Sequence, residues 1–116
     1  MTRNGRLKAQ VVAKQSPVHG HGLFSRKRFR PGAYIGTFEG VPTLRDGEHV
    51  LWVQGEDGRA RAIRGQNELR FLNHASRPNA EFEGADLFAL RNIQPGREIL
   101  IHYGEDWEGE AWDDVD

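Results

Sequence analysis

Hydrogen-bonding side chains are concentrated in residues 70–80, which read RFLNHASRPNA. Asn73 and His74 follow two apolar residues and precede Ser76, Pro78 and Asn79, in places where a strand or a helix would carry hydrophobic residues. This composition is typical of a turn that binds a polar ligand. It is equally typical of an ordinary loop, because Asn and Ser beside Pro are common turn formers.

Two other segments carry residues suited to a binding or reaction site. Gly20 and Gly22 stand at alternate positions, where the absence of a Cβ lets the backbone approach a ligand closely. Tyr103 continues the alternation of Ile99 and Ile101, which places the three side chains on one face of a strand. By periodicity alone Tyr103 is a core aromatic residue, and a role in chemistry is the alternative.

The residue composition narrows the classes of chemistry. The chain has no cysteine, which excludes disulfides, thiolate zinc sites and cysteine nucleophiles. Its five histidines, at 19, 21, 49, 74 and 102, show no i, i+4 pair with a carboxylate, so we expect no metal site. No apolar run approaches twenty residues and no signal-peptide pattern is present, so we expect a cytoplasmic protein without a membrane partner; delivery to a host nucleus stays open.

Short strands and marked turns predict a mainly β fold that positions these residues in one domain. The 116 residues suffice for a single core. The predicted elements are strands at 7–14 and 34–38, a strand, Pro-Gly turn, strand unit at 92–103, hairpins at 49–54 with 59–64 and at 80–83 with 87–91, and one helical turn within 66–72. Phe29, Pro31-Gly32 and Ile35 have the same spacing as Ile93, Pro95-Gly96 and Ile99, which predicts two similar β-corners around type II turns.

The net charge of -1 conceals an uneven distribution of charge. Eight of the sixteen Lys and Arg residues precede Glu39, where there is no acid, whereas residues 105–116 contain seven acids and no base. The acidic end is either a solvated tail or a surface that attracts a cationic peptide.

Four separated motifs resemble one family, the SET domain of protein-lysine methyltransferases. They are HGHGLFS at 19–25, PGAYIGTFEG at 31–40, RFLNHASRPNA at 70–80 and REILIHYGEDW at 97–107, in the family's order. The resemblance implies several small β-sheets with a knot-like crossing near Tyr103. It implies a SET domain over residues 1–104, followed by an acidic tail at 105–116 that covers the cofactor site.

The resemblance also implies S-adenosylmethionine as cofactor and a role for particular residues. The cofactor-binding set is Gly20, His21, Gly22, Leu23, Asn73, His74 and Trp107. For residues 20–23 only the backbone is needed, so the side chain of His21 has no required role. Tyr103 is implied as the catalytic residue, and Phe38, Ile101 and Tyr103 as the substrate-binding residues.

Departures from the family pattern leave alternatives open. Phe38 stands where the family usually has a tyrosine, and Ile101 stands where many members have an aromatic residue. A domain with the same fold that binds peptides without catalysis is therefore the second hypothesis. The resemblance places the insert that usually contacts substrate at 42–65, where it is short, which suggests a homodimer with Leu51 and Trp52 in an exposed patch; the alternative is a monomer with both residues in its core.

The expected substrate is a basic protein or a histone-like tail. A third hypothesis is nucleic-acid binding through the basic first third of the chain. The overall acidity and the lack of a recognised reading helix argue against nucleic acid as a partner.

Overall fold

The computed structural model describes residues 4–18, 20–43, 49–54 and 59–102. In these ranges short strands dominate and helix is confined to two single turns. The elements are α1 Leu7–Gln10, β1 Val11–Gln15, β2 His21–Ser25, β3 Tyr34–Thr37, β4 Gly40–Thr43, β5 Val50–Gln54, β6 Ala60–Gly65, a 3₁₀ helix Glu68–Phe71, β7 Asn73–His74, β8 Ala80–Glu83, β9 Asp86–Ala89 and β10 Glu98–Ile101. The mainly β fold predicted from the sequence is confirmed.

Three small sheets are formed by strands that are mostly distant in sequence. Their strand orders are β1-β2-β10-β7, β3-β9-β8 and β4-β6-β5. In the first sheet β10 pairs antiparallel with β2 and parallel with β7, so it joins two segments that lie some fifty residues apart. The knot-like crossing expected near Tyr103 falls outside the described residues.

Both hairpins predicted from alternating residues are present. In the first, β5 and β6 pair antiparallel, with Trp52 opposite Ala62. In the second, β8 and β9 pair antiparallel, with Ala80 opposite Ala89, and Gly84 at the turn has a φ of 62°. A positive φ is readily adopted by glycine, which lacks a Cβ.

The two Pro-Gly turns are type II turns in the structure, as their sequence predicts. Gly32 and Gly96 have φ values of 83° and 86°, the conformation that the third residue of this turn requires. In each turn the backbone N–H of the residue after the glycine donates to the carbonyl of the residue before the proline, at 2.9 and 3.2 Å.

The two corners also pair with each other, which the sequence did not indicate. Phe29 and Ile93 form an antiparallel bridge in which each backbone N–H donates to the partner's carbonyl at 2.9 Å. Both side chains are buried, at 2% and 1% exposure. The repeated unit thus produces one internal contact between the first and last thirds of the chain.

The hydrophobic core takes buried side chains from the first two sheets, and Leu51 and Ile63 of the third sheet pack against it. Its largest fully buried side chains are Phe29, Leu23, Ile35, Leu69, Leu87, Ile93, Ile99 and Val11. Since β2 and β10 each contribute to it, the strands that lead to the predicted site are anchored by buried apolar area.

One predicted element was wrong in its first half. Residues 7–14 were predicted as a strand, but the chain first forms the helical turn α1 and the strand begins at Val11. Leu, Lys, Ala and Gln favour helix, whereas the β-branched pair Val11 and Val12 favours extended backbone. None of the helices in the described ranges has the length and apolar character needed to cross a membrane.

Candidate active site

The two segments predicted to form a site are joined by a direct hydrogen bond. The Asn73 Nδ2 atom donates to the backbone carbonyl of His21 at 3.1 Å. Strand β10 lies between the strands that carry the two residues, with Leu100 opposite Asn73 and Ile99 opposite Leu23. The residues that the sequence singled out at 20–23 and at 73–74 therefore form one wall.

The side chain of Asn73 is buried, at 5% exposure, and both of its N–H donors face acceptors. In addition to the His21 carbonyl, Nδ2 donates to the Glu98 Oε2 atom at 2.9 Å. A primary amide offers two donors and one acceptor oxygen. With both donors directed at oxygen atoms, the amide can hold only one of its two orientations without placing oxygen against oxygen.

Glu98 belongs to this site although sequence analysis did not identify it. The Ser16 hydroxyl lies 2.8 Å from its Oε1 atom and 2.9 Å from its Oε2 atom. The residues are 82 positions apart. An acidic residue at the start of a strand is ordinarily a solvent-facing residue, so the sequence contains no signal for this contact.

Gly22 is required by the packing around Glu98. A Cβ atom on residue 22 would overlap the Glu98 carboxylate and lie 2.9 Å from the Cβ of Ser16. Gly20, by contrast, has a φ of 44° and open space beside it. Glycine is therefore needed at position 22 because no Cβ fits there, and at position 20 because the backbone has a positive φ.

His74 is buried, at 4% exposure, and pairs with the end of β10. Its ring centroid lies 4.7 Å from that of His102. The backbone N–H of Ala75 donates to the carbonyl of Ile101 at 2.9 Å. These contacts hold the chain at residues 101–102, immediately before Tyr103, which lies outside the described residues.

Phe71 supports the exposed side of the same wall. Its ring centroid lies 6.0 Å from that of His21 and 5.7 Å from that of His49. The guanidinium of Arg70 lies 4.3 Å from the Phe71 centroid, within the range of a cation–π contact. The residues before Asn73 therefore pack against the first motif rather than forming a free loop.

The other residues predicted for the site are either buried or lie outside the part of the chain that the structure describes. Leu23, Ile101 and Phe38 belong to the hydrophobic core, at 0%, 3% and 6% exposure. Phe38 packs edge-on against Phe82, with 6.1 Å between the ring centroids. Substrate contact by Phe38 and Ile101 stays a prediction, as do the roles of Tyr103 and Trp107, both outside the described part of the chain.

Over the described ranges, no three His, Asp or Glu side chains are grouped as they would be around a metal ion. The polar groups of the wall are instead amide, hydroxyl and carboxylate groups bonded to one another.

Comparison with known protein families shows which family has this arrangement of motifs. The family model for the SET domain matches residues 20–104, which span both motifs of the wall and β10. The chain belongs to the SET domain family. The resemblance seen in the four sequence motifs is thereby confirmed.

One curated relative of this SET domain is the histone-lysine N-methyltransferase MEDEA of Arabidopsis thaliana. The two are 27% identical over 114 residues, which cover 81% of this chain and 16% of MEDEA. This SET domain therefore spans about a sixth of the length of that relative.

Solved structures share the fold of this SET domain. A candidate histone methyltransferase of Plasmodium falciparum matches with a TM-score of 0.65 and 22% identity, over 84% of this chain and 96% of that chain. The ctPRC2 complex, in an autoinhibited conformation bound to S-adenosylmethionine, matches with a TM-score of 0.70 and 20% identity, over 83% of this chain and 15% of that chain.

Proposed function

We propose that this SET domain transfers the methyl group of S-adenosylmethionine to a lysine side chain of a basic protein or histone-like tail. The observation that carries the proposal is the hydrogen bond from Asn73 to the His21 carbonyl, which joins the glycine-containing segment and the Asn-His pair in one wall. Membership of the family and the relatives' own activities support the same reaction.

The residues of the wall suit the amino-acid end of S-adenosylmethionine. Gly22 presents backbone without a side chain, and a buried amide beside it has both donors occupied by protein oxygens. The amide oxygen is an acceptor, and in this proposal it accepts a hydrogen bond from the ammonium group of the cofactor. In this proposal residues 20–23 bind through backbone groups, and His74 and Trp107 contact the adenine end.

When bound, S-adenosylmethionine supplies an activated methyl group on a positively charged sulfur. The protein must bring a neutral amine in line with it, and free lysine has a pKa of about 10.4. An apolar channel lowers the pKa of the lysine ammonium by desolvating it. Tyr103 would orient the amine, and holding two reactants in line supplies most of the acceleration.

The partner proposed for this domain is a cationic peptide segment. The seven acidic residues at 105–116 provide the complementary charge for it. In the same proposal this acidic tail covers the cofactor site.

Self-association is proposed through the third sheet. Strand β5 lies at an edge of that sheet, and Trp52 on it is 47% exposed. Leu51 was predicted in the same exposed patch but packs against the core instead, because successive side chains of a strand point to opposite faces. Exposed edge strands can pair with another chain, and a tryptophan supplies large apolar area at such a contact.

The second candidate is a peptide-binding module without catalysis, and the observation that favours it concerns Phe38. The phenyl ring is enclosed by Phe82 and by residue 65, where a Cβ would lie 2.6 Å from Phe38 Cζ. The family usually has a tyrosine at this position. In this chain the ring of Phe38 has no hydroxyl group, and its edge is tightly packed. This reading predicts cofactor binding without turnover on any basic peptide.

Titration calorimetry with S-adenosylmethionine tests the proposal first. One saturable site is expected in the wild type, and Asn73→Ala should weaken it about tenfold or more, as loss of a hydrogen bond to a charged group does. Asn92→Ala is the matched control, because Asn92 is exposed and its side-chain oxygen accepts a hydrogen bond from Arg28 near the other corner.

Binding that is absent both with and without a basic peptide would contradict the proposal. Binding without transfer of a labelled methyl group to basic proteins would favour the non-catalytic module.

A further inference from the structure

The carboxylate of Glu98 lies between the hydroxyl of Ser16 and the amide of Asn73. We propose that Glu98 is a positioning residue for cofactor binding: with Ser16, it sets the orientation of the Asn73 amide. This inference rests on the proposed function, since it assigns Asn73 to the amino group of S-adenosylmethionine. It adds two residues, Ser16 and Glu98, to those that the sequence analysis assigned to the cofactor.

The first step is that the Glu98 carboxylate is itself held in place. Both of its oxygens lie within hydrogen-bond distance of the Ser16 hydroxyl, at 2.8 and 2.9 Å. The Ser16 oxygen also accepts the backbone N–H of Val18 at 2.9 Å. A hydroxyl has one proton, and here that proton is directed to the carboxylate while a lone pair serves the backbone.

The second step is that the carboxylate selects one orientation of the Asn73 amide. The Nδ2 group donates to Glu98 Oε2 at 2.9 Å and to the His21 carbonyl at 3.1 Å. If the amide turned over, its oxygen would face these two oxygens and both hydrogen bonds would be lost. In a side chain only 5% exposed, water cannot replace them.

The third step is that the position of the Glu98 backbone does not depend on the Glu98 side chain. The Asn79 amide donates to the Glu98 carbonyl at 2.8 Å and accepts from the Leu100 N–H at 2.8 Å. The adjoining Ile99 is fully buried in the core. A change confined to the carboxylate therefore leaves β10 in place and acts on Asn73.

The affinities of three ligands distinguish a positioning role of Glu98 from an effect on the charge of the cofactor sulfur. S-adenosylmethionine and S-adenosylhomocysteine share the amino group but differ in charge at sulfur, and 5′-methylthioadenosine lacks the amino-acid part. Glu98→Ala should weaken the first two equally, by about tenfold, and leave methylthioadenosine unchanged. Glu98→Gln should bind all three within about threefold of the wild type, because its amide oxygen can still accept from Asn73.

The same variants give a readout that needs no ligand. In nuclear magnetic resonance spectra the Asn73 side-chain amide protons, assigned with Asn73→Ala, should exchange slowly in the wild type and in Glu98→Gln, and faster in Glu98→Ala. Glu81→Ala is the matched control, since Glu81 is an exposed strand glutamate in another sheet.

Unchanged binding of S-adenosylmethionine and unchanged amide exchange in Glu98→Ala would overturn the inference. A loss confined to S-adenosylmethionine would overturn it as well, by showing that the carboxylate acts on the sulfonium charge. An equal loss for methylthioadenosine would also overturn it, by showing that the effect of Glu98 is not exerted at the amino group of the cofactor. Failure of the wild type to bind either cofactor form would instead contradict the proposed function.

Discussion

The carboxylate of Glu98 fills the space that any side chain on residue 22 would occupy. A Cβ there would overlap the Glu98 carboxylate and lie 2.9 Å from the Ser16 Cβ atom. Gly22→Ala should therefore displace Glu98, weaken binding of S-adenosylmethionine at least tenfold and lower the free energy of unfolding by about 1–3 kcal/mol. Calorimetric titration and chemical denaturation measure the two effects.

Gly84→Ala is the comparison for this variant. Gly84 has a φ of 62° but open space beside it, so alanine adds strain of about 1 kcal/mol without an overlap. Its cofactor affinity should equal that of the wild type. If Gly22→Ala also bound S-adenosylmethionine with the affinity of the wild type, the prediction would be wrong, because displacement of Glu98 would not affect cofactor binding.

Loss of the Tyr103 hydroxyl should separate binding from chemistry. Tyr103→Phe is expected to keep the fold and the cofactor affinity, while the rate of methyl transfer falls by about a hundredfold or more, as for a group that acts on the transition state. Single-turnover transfer of labelled methyl groups measures the rate. Wild-type activity in this variant would remove Tyr103 from the reaction centre.

The reaction should become faster at higher pH. Because only the neutral amine can attack, kcat/KM is expected to rise about tenfold per pH unit below the lysine pKa of about 10.4. Initial rates at low peptide concentration from pH 7 to 9 measure this slope, with cofactor affinity followed in parallel. A pH-independent kcat/KM would mean that deprotonation of the amine does not precede methyl transfer.

Glycine at position 40 is expected to be essential for the third sheet. A Cβ on Gly40 would overlap the carbonyl oxygen of Arg64 and lie 2.6 Å from its carbonyl carbon, and neither backbone atom can move without breaking the β4–β6 pairing. Gly40→Ala should cost about 3 kcal/mol in the free energy of unfolding.

Gly36→Ala is the matched comparison in β3, the preceding strand of the chain. Its Cβ would meet Leu7 Cδ1 at 2.8 Å and Asn4 Oδ1 at 3.2 Å, which are side-chain atoms rather than backbone atoms. We expect a cost of about 1 kcal/mol, measured by the same denaturation experiment. Equal costs at the two positions would show that the β4–β6 pair can separate locally.

Self-association should depend on Trp52. Trp52 lies on an edge strand with 47% of its surface exposed. The substitution Trp52→Asp is therefore expected to convert a dimer into a monomer in sedimentation experiments. Leu90→Asp is the control. Leu90 is similarly exposed, at 40%, but it comes directly after β9 and not on the edge strand proposed for the dimer contact. A wild type that sediments as a monomer at all concentrations would contradict the dimer proposal.

Elements set by nearby residues were predictable from the sequence. The turns at Pro31-Gly32 and Pro95-Gly96 formed as predicted, because proline and a glycine with positive φ suffice to specify them. The hairpins β5–β6 and β8–β9 followed from alternation and turn residues. The error at residues 7–10 arose where four residues favour helix beside a β-branched pair.

Contacts between distant segments were not predictable from residue patterns alone. Strand β7 has only two residues, both polar, and it forms because β10 provides a parallel partner. The bridge between Phe29 and Ile93 requires both corners to meet in space.

By itself the sequence determined the family, the residue types of the wall formed by 20–23 and 73–74, and the local turns, since these depend on composition and on spacing within short segments. The tertiary structure alone decided that Glu98 and Ser16, 82 positions apart, support the amide of Asn73. The physical reason is that a buried amide needs acceptors for both of its N–H groups, and only the packing of β2, β7 and β10 determines which residues provide them.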